Sequence, residues 1–239
     1  MTINLPEFSI GYPVRADGVE PNTGWQQVLR AIGDKPRRGL YRNAIKRGLD
    51  LTLILMAAPI VVPIVAGLAI AVARSGGRPF YTQMRVGKGG RIFRMWKLRS
   101  MVNDADARME GYLEAHPEAR LEWDQTQKLK NDPRITRFGA LLRRSSLDEL
   151  PQLWNVLTGE MSLVGPRPMM TSQQGIYPGL AYYALRPGIT GAWQTSGRNK
   201  TTFEARAAFD ADYEAGLTFA ADARILLQTV AVVVRGTGY

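Results

Sequence analysis

How this chain is arranged turns on Lys46-Arg47-Gly48-Leu49-Asp50-Leu51-Thr52-Leu53-Ile54-Leu55-Met56-Ala57-Ala58-Pro59-Ile60-Val61-Val62-Pro63-Ile64-Val65-Ala66-Gly67-Leu68-Ala69-Ile70-Ala71-Val72-Ala73-Arg74. From Leu51 to Ala73 only Thr52 is clearly polar. At about 1.5 Å per residue, a straight helix of that length just crosses a ~30 Å hydrocarbon layer. Two features argue against a simple crossing. Pro59 and Pro63 each remove an amide donor and crowd the preceding turn, so a bend is expected. Both flanks are also basic: Lys35, Arg37, Arg38, Arg42, Lys46 and Arg47 precede the segment, and Arg74, Arg78, Arg85 and Lys88 follow it. Positive charge marks the cytoplasmic side, so a crossing would put one cluster on the wrong face. A re-entrant helix that breaks near Ala58-Pro59 and returns to its own side removes the conflict, given shielding for its broken backbone. A bitopic anchor carrying an external domain is the competing arrangement. Asp50, following Arg47 by three residues and Lys46 by four, is expected to pair with them at the membrane rim.

Before this segment, residues 1–40 carry Pro6, Pro13, Pro21 and Pro36, and read as an irregular N-terminal arm with one short helix near Trp25 to Ile32. The arm does not resemble a secretory signal, because the apolar run comes late and lacks a convincing cleavage site. After it, Tyr81–Val86 and Arg91–Leu98 flank Gly87-Lys88-Gly89-Gly90, a turn able to reach positive φ, which predicts a β-hairpin. Ile92, Arg94, Trp96 and Leu98 fall on one face and Phe93, Met95, Lys97 and Arg99 on the other, so neither is purely apolar. Val102 to about Lys130 reads as a charged helical surface stretch interrupted near Pro117, and Asp132-Pro133 ends it.

Chemistry concentrates in Arg143-Arg144-Ser145-Ser146-Leu147-Asp148-Glu149-Leu150-Pro151-Gln152-Leu153-Trp154-Asn155. Two adjacent carboxylates lie beside two guanidinium groups where a helix is expected to begin. A helix start favours ionised carboxylates and attracts phosphates. Adjacent acids there can divide the work: one attacks phosphorus while the other holds a hard cation such as Mg²⁺. The plain structural alternative is a capping box from Ser146 to Glu149. Beyond it, Leu150, Leu153, Trp154 and Leu157 recur at helical spacing and should face the core, with Gly159 as C-cap.

Gly165-Pro166-Arg167-Pro168 holds an arginine in an extended segment that suits a phosphate contact. Arg186 to Asn199 is rich in turn formers and includes Trp193, the Gln194 amide and Arg198, a mixture suited to a planar base and its phosphates. Thr201-x-x-Glu204 is expected to cap a helix to about Ala215, and Thr218 to start an apolar last helix packing against the membrane-facing surface. The 31 Lys+Arg against 21 Asp+Glu give a net charge of +10, which calls for an anionic partner. With no cysteine and a single histidine, His116, thiolate chemistry, disulfides, histidine triads and two-histidine metal sites are excluded by count. No nucleic-acid-binding module is identified, so nucleic acid is not the expected partner.

Six motifs in order then resemble a known family. They are Lys46-Arg47-x-x-Asp50 before the proline-broken segment, Lys97-Leu98-Arg99-Ser100-Met101, Asp132-Pro133-Arg134-Ile135-Thr136, Ser146 to Gln152, Ser162 to Pro168, and Arg186 to Gly191. Together they resemble the bacterial sugar transferases, the monotopic phosphoglycosyl transferases of cell-surface glycan assembly. Trp193-Gln194-x-Ser196-Gly197-Arg198 looks closest to the short exopolysaccharide-initiating branch. Ala58-Pro59 stands where the family often has Ser-Pro.

The resemblance implies transfer of a sugar-1-phosphate, galactose or glucose, from a UDP-sugar to undecaprenyl phosphate with release of UMP. It implies Asp148 as nucleophile and Glu149 as Mg²⁺ ligand, with Asp148 as a metal ligand alone left open. It further implies Arg143, Arg167 and Arg198 at phosphates or nucleotide, with Gln194 lining the same site. The expected fold is α+β and helix-rich: arm 1–40, re-entrant membrane helix hairpin 41–78 and cytoplasmic catalytic domain 79–239. The expected location is the cytoplasmic face of the bacterial inner membrane, among anionic lipids, with a homo-oligomer left open. The rival class is a non-enzymatic basic adaptor binding acidic lipids, which Asp148→Asn would leave unaffected.

Overall fold

A computed structural model describes residues 23–35, 39–126, 129, 132–196, 203 and 205–234. The fold is helix-rich with a small hairpin, as expected. Helix α1 (Thr23–Asp34) comes first, longer than the expected short helix. Its Leu29 is fully buried with Val86, Met169, Tyr177, Tyr182 and Tyr183, so this part of the arm contributes to the core.

A π-helical turn, Tyr41–Ile45, leads into α2 (Lys46–Arg74), which remains helical through Pro59 and Pro63. The expected interruption at Ala58-Pro59 is therefore not a gap in the helix. Both ends of α2 are bound to the same protein body. Near its start, Ile54 belongs to the cluster of Phe93, Met95, Val156 and Met161. Near its end, Val72 packs with Leu98 and Leu142. Between them Leu55, Met56, Ile60 and Val62 are exposed.

The polar root of α2 differs from expectation. Asp50 does not pair with its own helix; it accepts hydrogen bonds from Ser162 Oγ at 2.7 Å and the Leu163 amide at 3.2 Å. Lys46 Nζ reaches Asp222 at 2.6 Å, and Asp222 also accepts from the Tyr41 and Tyr213 hydroxyls. Arg47 donates to the Val156 and Leu157 carbonyls. Those carbonyls lie at the C-terminal end of a helix, where unpaired oxygens and the dipole favour a cation. The tertiary partners prevail because each satisfies a buried polar group that a local ion pair would leave unmet.

Strands β1 (Phe80–Val86) and β2 (Ile92–Leu98) form the predicted antiparallel hairpin, with Thr82 opposite Trp96 and Met84 opposite Arg94. Its turn uses Gly89 and Gly90 at φ of 65° and 73°, a conformation glycine adopts without steric cost. Helices α3 (Ala105–Ala115) and α4 (Pro117–Thr126) meet at the expected interruption. In α5 (Arg137–Arg144), Thr136 Oγ1 caps the start by accepting from the Gly139 amide.

Helix α6 (Gln152–Thr158) ends at Gly159, which has a φ of 87° as a C-cap glycine should. Its buried residues are Gln152, Asn155 and Val156. Trp154 is 59% exposed, contrary to its expected place in the core. Leu153 and Leu157 occupy the inner flank instead. Short strands β3 (Ser162–Val164) and β4 (Gly188–Thr190) pair in parallel. Helices α7 (Ala192–Ser196), α8 (Arg206–Ala215) and α9 (Phe219–Val234) complete the described chain. Thr201 and Glu204, the expected cap of α8, lie outside the described residues.

Candidate active site

Asp148 and Glu149 sit in a 3₁₀ turn, Leu147–Glu149, just before α6 rather than in its first turn. The turn is entered through Ser146, the only described non-glycine residue with positive φ, at 57°. Ser146 makes no side-chain cap, so the capping-box alternative is not realised. Strain of this kind persists only where the surroundings impose it, and it gathers at functional sites.

The side chain that completes this pair comes from β2. Lys97 lies on the inward face of the hairpin with buried Phe93 and Met95. Its Nζ stands 2.8 Å from Glu149 Oε1 and 3.6 Å from Asp148 Oδ2. Burial works against the Lys97 ammonium, but Glu149 and Asp148 overcome it and hold its pKa above the usual lysine value. Asp148, only 5% exposed, is pushed above the usual carboxylate range by burial, with Lys97 and Arg143 pulling it back and Glu149 adding to the rise. Arg143 is held by donation from its Nε to Ser100 Oγ at 2.8 Å.

The register of these parts is set by Asn155, which is fully buried in α6. Its Oδ1 accepts from the Trp96 amide at 3.0 Å and its Nδ2 donates to the Arg94 carbonyl at 2.7 Å. One amide thus takes the place of a neighbouring strand along the β2 edge and fixes Lys97 against the acidic turn.

Glu149, Arg167 and Gln194 open on one cleft of about 250 Å³, together with Thr190, Thr195 and Thr229. The same cleft is also lined by apolar Leu147, Leu150, Leu153, Ile189 and Val232. Of the expected site residues, the structure brings Asp148, Glu149, Arg143, Arg167 and Gln194 into one region. Arg198 lies outside the described residues.

Three residues went unassigned in the sequence reading. Lys97 is one. Arg85 and Arg206 are the others, and both converge on the Arg167 loop. Arg85 donates to the Pro168 carbonyl at 3.4 Å, and its pKa is lowered to about 10 by burial and by Arg167 nearby. Arg206 Nη2 donates to the Arg167 carbonyl at 2.7 Å, while its guanidinium lies 5.0 Å from the rings of both Trp193 and Phe203. Among the described residues, the buried side-chain polar atoms without a partner are Arg85 Nε, Arg206 Nε and Gln194 Oε1. Such atoms are uncommon in native interiors. Arg85 and Arg206 adjoin the Arg167 loop, and Gln194 lines the same cleft as Arg167.

No cluster of three or more acidic or histidine ligands occurs among the described residues, so there is no all-protein cage. Mg²⁺ ordinarily takes one or two carboxylates and completes its shell with waters and substrate phosphates. Glu149 at the edge of a cleft that also holds Arg167, with Asp148 buried next to it, fits that requirement.

A long apolar helix anchored at both ends, and a buried Asp148 beside Glu149 and Lys97 next to a cleft lined by Arg167, are consistent with a membrane-associated protein. Comparison with known proteins says which kind. The family model described as bacterial sugar transferase matches residues 41–236, and the chain belongs to that family. It is 46% identical over 196 residues to the UDP-galactose-lipid carrier transferase of Erwinia amylovora, covering 81% of this chain and 41% of that protein. Exopolysaccharide production protein ExoY of Rhizobium meliloti is 42% identical over 173 residues, covering 72% of this chain and 76% of its own. The UDP-glucose:undecaprenyl-phosphate glucose-1-phosphate transferase of Xanthomonas campestris pv. campestris is 39% identical over 235 residues, covering 89% and 46%. The chain therefore spans less than half the length of the Erwinia and Xanthomonas relatives.

Proposed function

We propose that this protein transfers a sugar-1-phosphate, galactose or glucose, from a UDP-sugar to undecaprenyl phosphate at the cytoplasmic face of the bacterial inner membrane. The observation that carries this reading is the buried Asp148 beside Glu149 and Lys97, next to the cleft of Arg167. The names of the relatives agree with it.

In the first step an Asp148 oxygen attacks the β-phosphorus of the UDP-sugar. The bond from that phosphorus to the bridging oxygen breaks, and UMP leaves with the electron pair. In the second step an oxygen of the lipid phosphate attacks the same phosphorus and the Asp148 carboxylate is released. Lys97 and Arg143 favour the ionised form of Asp148, as a nucleophile requires. Arg167, with Arg85 close by, supplies positive charge where negative charge gathers on the phosphoryl oxygens. Mg²⁺ held by Glu149 and Asp148 would add electrostatic stabilisation of that charge.

The membrane segment, residues 41–78, fits a re-entrant hairpin carrying the catalytic part, 79–239. The start of α2 packs in the cluster of Val156 and Met161 and its end with Leu98 and Leu142, while Leu55, Met56, Ile60 and Val62 between them are exposed, which supports a bend at Pro59 and Pro63 that returns the helix to its own side. The active site then lies near headgroup depth, because α6 alone separates the acid pair from the carbonyls that bind Arg47. Anionic lipids suit the basic flanks, and exposed Phe219, Leu227 and Val230 give α9 an apolar outer face.

The test is UMP release by purified protein given UDP-galactose or UDP-glucose, undecaprenyl phosphate and Mg²⁺. Asp148→Asn should abolish it. Full activity in that variant refutes Asp148 as the nucleophile, whereas wild-type protein that releases no UMP from either donor leaves the basic adaptor standing.

A further inference from the structure

Gln194 is 8% exposed and lines the cleft, yet its side-chain oxygen has no hydrogen-bond partner among the described residues. Its amide cannot turn over without loss, since Nε2 donates to the Ile189 carbonyl at 3.1 Å and a reversed amide would set oxygen against oxygen. A buried acceptor left unmet costs free energy, and a native structure retains one where something else supplies the hydrogen.

Resting on the transferase reading above, we infer that Gln194 Oε1 accepts a hydrogen bond from an O–H or N–H of the sugar nucleotide and sets specificity for it. An ionised lipid phosphate carries only acceptor oxygens and would be repelled at this point. A sugar nucleotide offers two sources of donor, the hydroxyls of its sugars and the N3–H of its uracil. A site built around such a bond rejects the analogue lacking the hydrogen far more strongly than an apolar pocket rejects a change of shape. Gln194 thus selects the donor substrate, while Glu149 and Arg167 across the same cleft face its phosphates.

The experiment compares the full-length wild type with Gln194→Met, which keeps the volume and removes the acceptor. UMP release is measured with the UDP-sugar, its N3-methyluracil analogue and a set of singly deoxygenated analogues; binding of the UDP-sugar is measured by titration calorimetry. In the wild type, one analogue should lose at least ~10-fold in kcat/KM. Gln194→Met should lose a similar factor on the parent substrate and be indifferent to that same analogue. Whether the responsive analogue is the methylated base or a deoxygenated sugar identifies the source of the hydrogen. Gln194→Met within twofold of wild type, or an equal analogue penalty in both proteins, overturns the inference. So does a wild type that tolerates every analogue within twofold, a result that needs no variant. Wild-type protein that binds a UDP-sugar but releases no UMP refutes the transferase reading alone; weaker binding by Gln194→Met would then still support the contact, and unchanged binding would overturn it.

Discussion

Lys97 sits between two carboxylates, and its charge is what lets both exist in a site this dry. Removing it takes away the strongest force that lowers the pKa of Asp148, while burial and Glu149 continue to raise it. The sign is therefore fixed: in Lys97→Gln the carboxyl titrates at higher pH than in the wild type. The acidic limb of the pH–kcat/KM profile, which requires ionised Asp148, should move to higher pH, with activity recovering as pH rises. A profile that only drops in height, with an unmoved limb, would separate Lys97 from the ionisation of Asp148. The acid pair was legible in the sequence because adjacent carboxylates beside arginines form an unusual cluster. Lys97 was not, since β2 shows mixed faces and only the burial of Phe93 and Met95 reveals which one points inward. Arg85 and Arg206 carried no spacing signal at all. Their meaning comes from convergence on the Arg167 loop of segments distant in sequence.

Helix α6 is where local patterning and tertiary structure part company. Its leucines and Trp154 recur at helical spacing, and a rule that apolar means interior placed them all in the core. The structure instead buries Gln152 and Asn155 and leaves Trp154 outside. A protein bound to lipid can present apolar side chains outward, and tryptophan favours the interface between lipid and water. Asn155 is buried because its amide serves both the Trp96 N–H and the Arg94 carbonyl. Asn155→Leu leaves those backbone groups unmet at a cost of about 3 kcal/mol, within the usual range for two buried polar groups. The denaturation midpoint should fall, and kcat should fall more than KM rises, because Lys97 loses its register with Asp148. Wild-type stability and turnover in this variant would show that the hairpin is held by other contacts. The hairpin itself was readable from its glycine turn, and the junction of α3 and α4 from Pro117.

At the scale of the whole molecule, the proposed function gives α2 the task of coupling the protein to the bilayer. The apolar stretch and its basic flanks were evident in the sequence; the way α2 is rooted was not. Tyr41, Lys46 and Asp50 bond to residues of β3 and α9, partners that no local spacing could name. Accessibility of introduced cysteines gives the topology, because the chain has none of its own. Single cysteines placed before Lys46 and after Arg78 should label from the same, cytoplasmic, side of sealed membranes. Labelling from opposite sides would make α2 a crossing helix and would move the catalytic part relative to its lipid substrate.

The most direct measurement is to trap the covalent intermediate. Purified protein is mixed with the UDP-sugar and Mg²⁺ without acceptor lipid, quenched in acid within milliseconds and digested for mass spectrometry. A sugar-phosphate adduct should appear on the peptide containing Asp148, disappear when undecaprenyl phosphate is added before the quench, and never form in Asp148→Asn. Rapid turnover with no adduct at any quench time, or an adduct on another residue, would contradict the account.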